Sequence, residues 1–229
     1  MKIGLVTLTP QKVEGYDVHV FYSKTTDGQE HPAGKEMQND VTCFCDAKAI
    51  REDPSIVALS KAGPAMRKNR RFNLPFDYVC PTNPTYRAKV LRYIKDLNKE
   101  NIEGVTLNLY HFPEQEFCVC PRCTELHHDS GLNWIDWRAQ TVTTFLKEAK
   151  TLVKGTFAVE MYPDPLMAKE RFGIDFGAIA ELVAAPMAQA NMTMRDDWVA
   201  ISKPHAPRFP AVKSHLPKVQ RQQRSQSGM

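Results

Sequence analysis

The sequence has no run of apolar residues that approaches the roughly 20 needed for a membrane-spanning helix. Its opening residues, Met1 and Lys2 followed by IGLVTLTP, lack the small-residue cleavage site of a secretory signal. Only six cysteines occur in 229 residues, too few for a fold built on disulfide bonds. We therefore expect a cytoplasmic protein with no membrane partner.

Acidic side chains are absent from residues 204–229, which carry five Lys and Arg residues. Because the whole chain carries a net charge of +4 and this segment carries +5, the remaining residues carry −1. The periodic patterns fade before this segment, so we predict one structured barrel domain over residues 1–203 and a basic, disordered tail over residues 204–229. The basic run at residues 67–71 has no glycine-rich loop or series of aromatic residues beside it, and no nucleic-acid partner is expected.

Short apolar segments alternate with amphipathic helical patterns along the rest of the chain. Strands are predicted at residues 3–8, which read as buried, and at 41–45, 105–110, 156–162 and 183–187. Helices are predicted at residues 84–100, 133–155 and 175–183, with helical pieces within 47–67 and a surface loop over 24–40. Strands separated by helices are typical of an α/β fold with a parallel sheet. A complete eight-stranded (β/α) barrel needs about 250 residues, so we expect a TIM-barrel-like fold that is incomplete or truncated.

Three cysteines lie within six residues, at Cys118, Cys120 and Cys123. Thiolates this close in sequence can point into one tetrahedral zinc site, and zinc usually takes four ligands. Cys80 is the favoured fourth ligand, because it precedes the helix that leads into the strand before the cluster. A site of four cysteines has no open position, so we expect the zinc-binding loop to have a structural role.

Four other residues remain alternatives for the fourth ligand. His127 and His128 follow the cluster directly, and Cys43 and Cys45 lie in a predicted strand. A strand is where cysteines commonly serve as small hydrophobic residues. We therefore expect Cys43 and Cys45 to be buried thiols that bind no metal.

One segment resembles a known family. It runs from Cys80 to Arg87 (CPTNPTYR), through a helix and a strand, to FCVCPRC ending at Cys123. This segment resembles the glycoside hydrolase family 42 β-galactosidases and related glycosidase-like (β/α) barrels, over about residues 78–125. Farther along, Trp137-Arg138 and the segment YPDPLMAKERFGIDFGAIAELV are similar to sugar-hydrolase-like barrels of unknown function. The resemblance implies a (β/α) barrel, a zinc ion held by the cysteines and a carbohydrate ligand.

The catalytic residues of the family carry over only in part. Enzymes of its clan have an Asn-Glu pair at the end of the fourth strand, and the Glu is the general acid/base. The corresponding residues here are Asn108 and Leu109, so the Asn matches and the Glu does not. Glu114 and Glu116, just past the strand, are candidates for the missing acid, and their competing interpretation is as solvated loop residues.

Glu160 is the most interesting carboxylate, because it lies in an apolar strand and a buried carboxylate needs a partner. Retaining glycosidases need one protonated and one ionised carboxyl group about 5 Å apart. Tyr110, His111 and Tyr162 at strand ends are candidates to line a sugar site by stacking. Asp164 follows on the next loop and is a further candidate for substrate binding.

The leading hypothesis is a glycoside hydrolase-like protein that acts on a carbohydrate and contains a structural four-cysteine zinc site. The alternative is a non-catalytic barrel that zinc stabilises and that has lost the catalytic acid. A zinc ribbon that binds nucleic acid is the least favoured interpretation, because no basic or aromatic surface accompanies the cysteines.

Overall fold

The computed structural model of the protein describes residues 4–183 and the backbone of residues 185–188. The chain divides into two compact units, Met1–Asn191 and Met192–Met229, of which the second lies outside the described residues. The basic tail predicted at 204–229 and the domain boundary predicted at residue 203 also lie outside them. Both stay predictions.

Six parallel strands form the main sheet, and they follow one another in the sheet as they do along the chain. They are β1 (Gly4–Thr7), β2 (Val18–Lys24), β3 (Gln38–Thr42), β6 (Gly104–Asn108), β7 (Thr156–Met161) and β8 (Ala185–Ala188). A separate antiparallel hairpin contains β4 (Leu59–Ser60) and β5 (Gly63–Pro64). Parallel strands in sequential order, with helices in the later connections, confirm the predicted α/β class. Because β1 and β8 do not pair with each other, the described strands form no closed barrel.

The helices occupy the connections after β3, β6 and β7. They are α1 (Ala47–Glu52), α2 (Pro84–Leu97), α3 (Pro121–Ser130), α4 (Trp134–Leu152), α5 (Pro165–Met167) and α6 (Phe176–Ala180), with a 3-10 turn at Pro54–Ile56 and a π-helical turn at Ala168–Phe172. The two predicted N-caps are present: the Asn83 side chain accepts from the N–H of Tyr86, and the Asn133 side chain accepts from the N–H of Asp136. Within the described part of the chain, no helix is long and apolar enough to cross a membrane.

The first three strands differ from the sequence prediction. β2 has no counterpart among the predicted strands, although VHVFYSK is rich in β-branched and aromatic residues. The prediction that the first strand is buried is wrong, because β1 lies at an edge of the sheet and Val6 is 51% exposed. β3 starts at Gln38, within the predicted surface loop. Its polar residues are buried because they find partners, as Asn39 does with the backbone of Gly34 and Met37.

The register of β3, β6 and β7 sorts their side chains onto two faces. Val41, Leu107 and Val159 form one row across the three strands. They share a hydrophobic core with residues of α2 and α4, among them Ile94 and Phe145. This side of the sheet is therefore apolar and packs against helices.

The opposite side of the same three strands is polar, and we call it the inner face. One row across it contains Asp40, Thr106 and Ala158. Alternation along the strands adds Thr42, Asn108 and Glu160, which lie closer to the carboxyl ends. The carboxyl ends of parallel strands are where (β/α) barrels carry their active sites.

The two ends of β6 have unusual backbone features, a close contact at Gly104 and a positive φ at Leu109. Near its start, the side chain of Gln38 donates to the carbonyl oxygen of Thr156 at 3.2 Å. A Cβ on Gly104 would lie 2.6 Å from the Gln38 side-chain oxygen and 2.1 Å from the Thr156 carbonyl oxygen. Only glycine therefore fits at this position. Directly after its last residue, Asn108, Leu109 adopts the left-handed region with φ 47°. That conformation is strained for a residue with a large side chain, and such strain concentrates at functional sites.

Arg138 of α4 joins the loops that follow β6 and β7. The residue is fully buried, and its guanidinium donates to the backbone carbonyl oxygens of Glu114, Glu170 and Arg171 at 2.6 to 2.9 Å. Its central carbon also lies 4.8 Å from the centre of the Phe112 ring. A single side chain thus satisfies buried carbonyl groups from two separate loops.

Replacing Arg138 with Met is expected to lower the free energy of unfolding by roughly 3 kcal/mol, because three part-buried carbonyl oxygens lose their donor from a buried guanidinium. Urea unfolding followed by circular dichroism measures the change. Arg92→Met is the matched control, since Arg92 is exposed on α2. Equal stability of the two variants would contradict a structural role for Arg138.

Candidate active site and candidate metal centre

Asp40 lies on the inner face and is only 2% exposed. Its Oδ2 accepts a hydrogen bond of 2.8 Å from Nδ2 of Asn108. Burial and the neighbouring Glu160 raise the pKa of Asp40 well above its ordinary value, and hydrogen bonds from Asn108 and from the backbone of Val41 offset only part of this. Asp40 therefore favours its neutral form far more than a solvated aspartate does.

Glu160 is the second carboxyl group of the inner face. Burial raises its pKa from 4.5 to about 7. In the part of the chain that the structure describes, neither Glu160 nor Asp40 forms an ion pair with Lys, Arg or His. Two interacting carboxyl groups without a cation hold a proton to higher pH than isolated ones, and their apparent pKa values belong to the pair.

The predicted aromatic residues surround this pair in different ways. The Tyr110 hydroxyl donates to the backbone carbonyl oxygen of Glu160 at 2.9 Å and is buried. His111 is also buried, which lowers its pKa to about 4, and its Nδ1 lies 2.7 Å from the carbonyl oxygen of Phe112. The ring of Tyr162 lies 5.5 Å from that of His111. These three residues thus form a packed aromatic cluster with a neutral histidine at the end of β6 and β7.

The other predicted acids have different surroundings. Glu114 pairs with the guanidinium of Arg171, whose Nε lies 2.9 Å from Oε2. Asp164 caps α5 by accepting from the N–H groups of Leu166 and Met167. Glu116 is exposed and lines a cavity of about 380 Å³ together with Lys61, Arg71, Phe72 and Trp134, among others. The catalytic role predicted for Glu114 and Glu116, and the substrate contact predicted for Asp164, stay predictions.

The four predicted metal ligands come together. The Sγ atoms of Cys80, Cys118, Cys120 and Cys123 all lie within 4.8 Å of one another. The sulfur of Cys80 lies 3.8 Å from that of Cys120 and 3.5 Å from that of Cys123. Hydrogen bonds from Cys118, Cys123 and Cys80 lower the pKa of Cys120, so the cluster favours a thiolate there. This arrangement is compatible with a metal site.

The chain around the cluster is more ordered than a loop. Cys120 is the N-cap residue of α3 and Cys123 lies within that helix, which the sequence analysis missed. The backbone N–H of Leu59 donates to the Cys118 sulfur at 3.2 Å, and the Thr82 hydroxyl lies 3.1 Å from the Cys123 sulfur. Such contacts orient thiolate ligands around a metal. The cysteines therefore connect the β4–β5 hairpin, the start of α2 and the start of α3.

The alternative ligands lie elsewhere. Cys43 and Cys45 are fully buried free thiols, as expected, and they are not part of the cluster. The ring of His127 approaches the carbonyl oxygen of Leu132 through Nε2 at 3.0 Å. His128 is exposed and lies beside Asp129. Cys80 is thus the fourth member of the cluster.

Asp40 is the candidate residue that the sequence analysis missed. The segment before it is rich in turn-forming residues and predicts a surface loop, in which an aspartate is ordinary. Extending the alternation of the strand backward from Thr42 would have placed Asp40 on the same face. The alternation of side chains thus indicates Asp40, but only when the first residue of β3 is known.

Comparisons with known proteins identify the fold. No family model and no curated protein matches this sequence. The structure is similar to the glycoside hydrolase domain of PgaB (BpsB) from Bordetella bronchiseptica, with a TM-score of 0.59 and 10% identity over 76% of this chain and 64% of that chain. It is also similar to a hypothetical protein from Ruminiclostridium thermocellum ATCC 27405, with a TM-score of 0.50 and 13% identity over 69% of this chain and 96% of that chain.

These similarities define a class of fold. The protein has a glycoside hydrolase-like α/β fold, and it spans 64% of the PgaB chain that it matches. The likeness supports a glycoside hydrolase-like fold without pointing to family 42. At these levels of identity it concerns the fold alone.

Replacing Glu160 with Gln is expected to flatten the pH dependence of stability between about pH 4.5 and 7. In this window the folded protein holds a proton on Glu160 that the unfolded chain releases, so the parent loses stability as the pH rises. The shift from 4.5 to about 7 corresponds to roughly 3 kcal/mol over the whole window. Urea unfolding at pH 5 and pH 7.5 measures the slope.

The matched control is Glu52→Gln, because Glu52 is exposed at the end of α1. This variant is expected to keep the slope of the parent. A Glu160→Gln variant with that same slope would show that Glu160 does not hold a proton in the folded state.

Proposed function

We propose that this protein is a glycoside hydrolase-like protein that acts on a carbohydrate and uses Asp40 and Glu160 as its two carboxyl groups. The observation that supports this most directly is the pair of coupled carboxyl groups on the polar inner face of a glycoside hydrolase-like fold. Glycoside hydrolysis needs one carboxyl group that donates a proton and one that is ionised, and a shared environment that separates their pKa values provides both. Glu114 and Glu116 are secondary candidates for the acid.

Polar and aromatic residues past the ends of the strands suit a sugar. The residues predicted to bind substrate lie at or just past the ends of β6 and β7; they are Asn108, Tyr110, His111, Tyr162 and Asp164. The cavity that contains Glu116 is formed by segments that follow β3 and β6, and its wall includes Phe72 and Trp134. Aromatic rings on such connections are suited to stacking against sugar rings.

We infer that the four cysteines hold a zinc ion. Zinc–thiolate bonds of about 2.3 Å in a tetrahedron separate the sulfur atoms by about 3.8 Å. The distances of 3.5 and 3.8 Å from Cys80 to Cys123 and Cys120 fit this value. Four thiolates fill the coordination sphere, so the ion would stabilise the fold and take no part in the reaction. The resemblance of the cysteine segment to family 42 supports the same structural role for the zinc ion.

All six cysteines are free, which agrees with the predicted cytoplasmic location.

The second candidate function is that of a non-catalytic, zinc-stabilised protein. It is favoured by the open sheet, since β1 and β8 leave two edges in the described part of the chain. It is also favoured by the absence of the family glutamate after Asn108, where Leu109 stands.

Hydrolysis of a panel of aryl glycosides and oligosaccharides tests the proposed activity. Asp40→Asn and Glu160→Gln are each expected to lower kcat by a factor on the order of 100 or more, the usual effect of losing a catalytic acid or base. Glu52→Gln is expected to retain the parent rate. A Glu160→Gln variant as active as the parent would make the site assignment wrong, and an inactive parent with full zinc occupancy would favour the non-catalytic candidate.

Metal analysis tests the zinc centre. The purified protein is expected to carry about one zinc per chain, and Cys123→Ser is expected to lose most of it, because three thiolates leave one position open. Removing zinc with a chelator is expected to lower Tm, since the metal links separate segments. Cys43→Ala is the matched control, a buried thiol outside the cluster that should leave the zinc content unchanged. Equal zinc content in Cys123→Ser and the parent would exclude this site.

A further inference from the structure

Among the residues that the structure describes, two buried oxygen atoms on the inner face have no hydrogen-bond partner. They are Oδ1 of Asp40 and Oδ1 of Asn108, and the side chains that carry them are 2% and 5% exposed. The other two polar atoms of the same side chains are bonded to each other, with Nδ2 of Asn108 donating to Oδ2 of Asp40 at 2.8 Å. A buried acceptor without a donor is unfavourable, so two of them on bonded neighbours require an explanation.

One proton supplies the missing donor for both atoms. A neutral aspartic acid has one O–H donor, whereas an ionised aspartate has only acceptors. If the proton is on Oδ1 of Asp40, it can donate to Oδ1 of Asn108 while Nδ2 of Asn108 donates to Oδ2. The acid and the amide then form a closed ring of two hydrogen bonds, and every polar atom of both side chains has a partner.

The charges around Asp40 favour the same state. The titratable groups that interact with it are Glu160 from β7, Tyr22 from β2 and Cys43 just beyond its own strand. All of these are neutral or negative, so none stabilises an aspartate anion. The buried Lys24 of β2 instead pairs with Asp46, at 3.5 Å between Nζ and Oδ2.

Asp46 provides an internal comparison, because it is equally buried and has the opposite environment. Burial alone would raise its pKa, yet Lys24, the N–H of Ala49, the hydroxyl of Tyr86 and Lys89 together lower it. Its carboxylate accepts from Ala49 at 2.7 Å and from Tyr86 at 2.9 Å. Within the described part of the chain, the fold thus places two lysines beside Asp46 and no cation beside Asp40.

We propose that Asp40 is a neutral acid held in a cyclic acid–amide pair with Asn108, and that it is the proton donor of the carbohydrate reaction while Glu160 is the base. The protonation state is inferred from the two unpartnered oxygens and the surrounding charges, and the catalytic role rests on the proposed function. Asn108 is then a positioning residue that orients the acidic proton of Asp40.

The separation of the strands suggests how the step proceeds. Because β6 lies between β3 and β7, their backbones are two strand spacings apart, roughly 10 Å. We place the attacking water molecule between the two carboxyl groups, as in the inverting reaction of glycosidases. Asp40 gives its proton to the glycosidic oxygen as the bond from that oxygen to the anomeric carbon breaks, and the electron pair stays on the oxygen. Water adds to the anomeric carbon and passes a proton to Glu160. That proton returns through solvent to Asp40, which restores both groups.

Carbon-13 NMR of the side-chain carboxyl groups of the full chain tests the protonation state directly. Asp40 is expected to give the shift of a neutral acid at pH 6, and Asp46 the shift of an ionised carboxylate in the same spectrum. An Asp40 that titrates with a midpoint below about 5, close to an ordinary aspartate, would overturn the inference. Asp40→Asn confirms the assignment of the signal.

Infrared spectroscopy tests the pairing with Asn108. The parent is expected to show a protonated carboxyl band at pH 6 that Asp40→Asn removes. Asn108→Leu is expected to keep this band and move it to higher wavenumber, because the carbonyl oxygen of the acid loses its donor. If the band of Asn108→Leu has the same wavenumber as that of the parent, the pairing is overturned. If this variant does not fold, the NMR titration of the parent still decides the protonation state of Asp40.

Kinetics separates this inference from the proposed function. With a hydrolysed substrate in hand, the pH profile of kcat/KM is expected to fall on the alkaline side as Asp40 loses its proton, and Asp40→Asn is expected to lose that limb with a rate lower by a factor on the order of 100. Hydrolysis by a protein whose Asp40 is ionised would overturn the donor role. A neutral Asp40 in a protein that hydrolyses no glycoside would support the acid–amide pair and overturn the proposed function, together with the donor role that rests on it.

Discussion

The register between β3, β6 and β7 is the constraint on which the rest of the structure depends. Side chains alternate between the two faces of a strand, so a shift of one residue would exchange the faces. In the observed register Val41 and Leu107 pack against helices, and Asp40 and Asn108 meet on the inner face. A shifted strand would bury Asp40 among the apolar side chains of the helices. The hydrophobic core therefore selects the arrangement of the candidate site.

The segments directly after β3, β6 and β7 need anchors besides the sheet, because they precede the helices of each connection. Arg138 supplies one by bonding to carbonyl groups from the loops after β6 and β7. The cysteine cluster supplies another, since the N–H of Leu59 donates to Cys118 and the N–H of Val119 donates in return to the carbonyl oxygen of Leu59 at 2.7 Å. Both anchors act at the carboxyl-end side of the sheet. Stability and the geometry of the candidate site are thus linked through the same segments.

Much of the fold could be predicted from local patterns. Asn83 before Pro84 identified the start of α2, and the apolar stripe after Asn133 identified α4, because caps and periodicity are properties of adjacent residues. The meeting of Cys80 with the later cysteines was also predictable, since Cys80 precedes α2 and the other cysteines follow β6, the strand into which α2 leads. The predicted start of β3 is too late because its polar residues depend on partners, and those of Gln38 and Asp40 are distant in sequence and give no local pattern.

The candidate site was harder to predict for the same reason. Glu160 stood out because a carboxylate in an apolar strand is unusual. Asp40 gave no such signal, since an aspartate among turn-forming residues is ordinary. Its significance arises only when β6 brings Asn108 beside it and no cation accompanies it. Asp46 makes the point by contrast: it is another buried aspartate, but Lys24 lies beside it.

This contrast separates structural from chemical uses of a buried carboxyl group. An aspartate that caps a helix and pairs with a lysine is most useful when ionised, because each donor around it stabilises the charge. A carboxyl group that donates a proton must instead be kept neutral near its working pH, which requires burial without cations. Asp40 in β3 and Asp46 at the start of α1 meet these opposite requirements. The absence of a cation at Asp40 is therefore a stronger argument for chemistry than its burial, since burial is common to both residues.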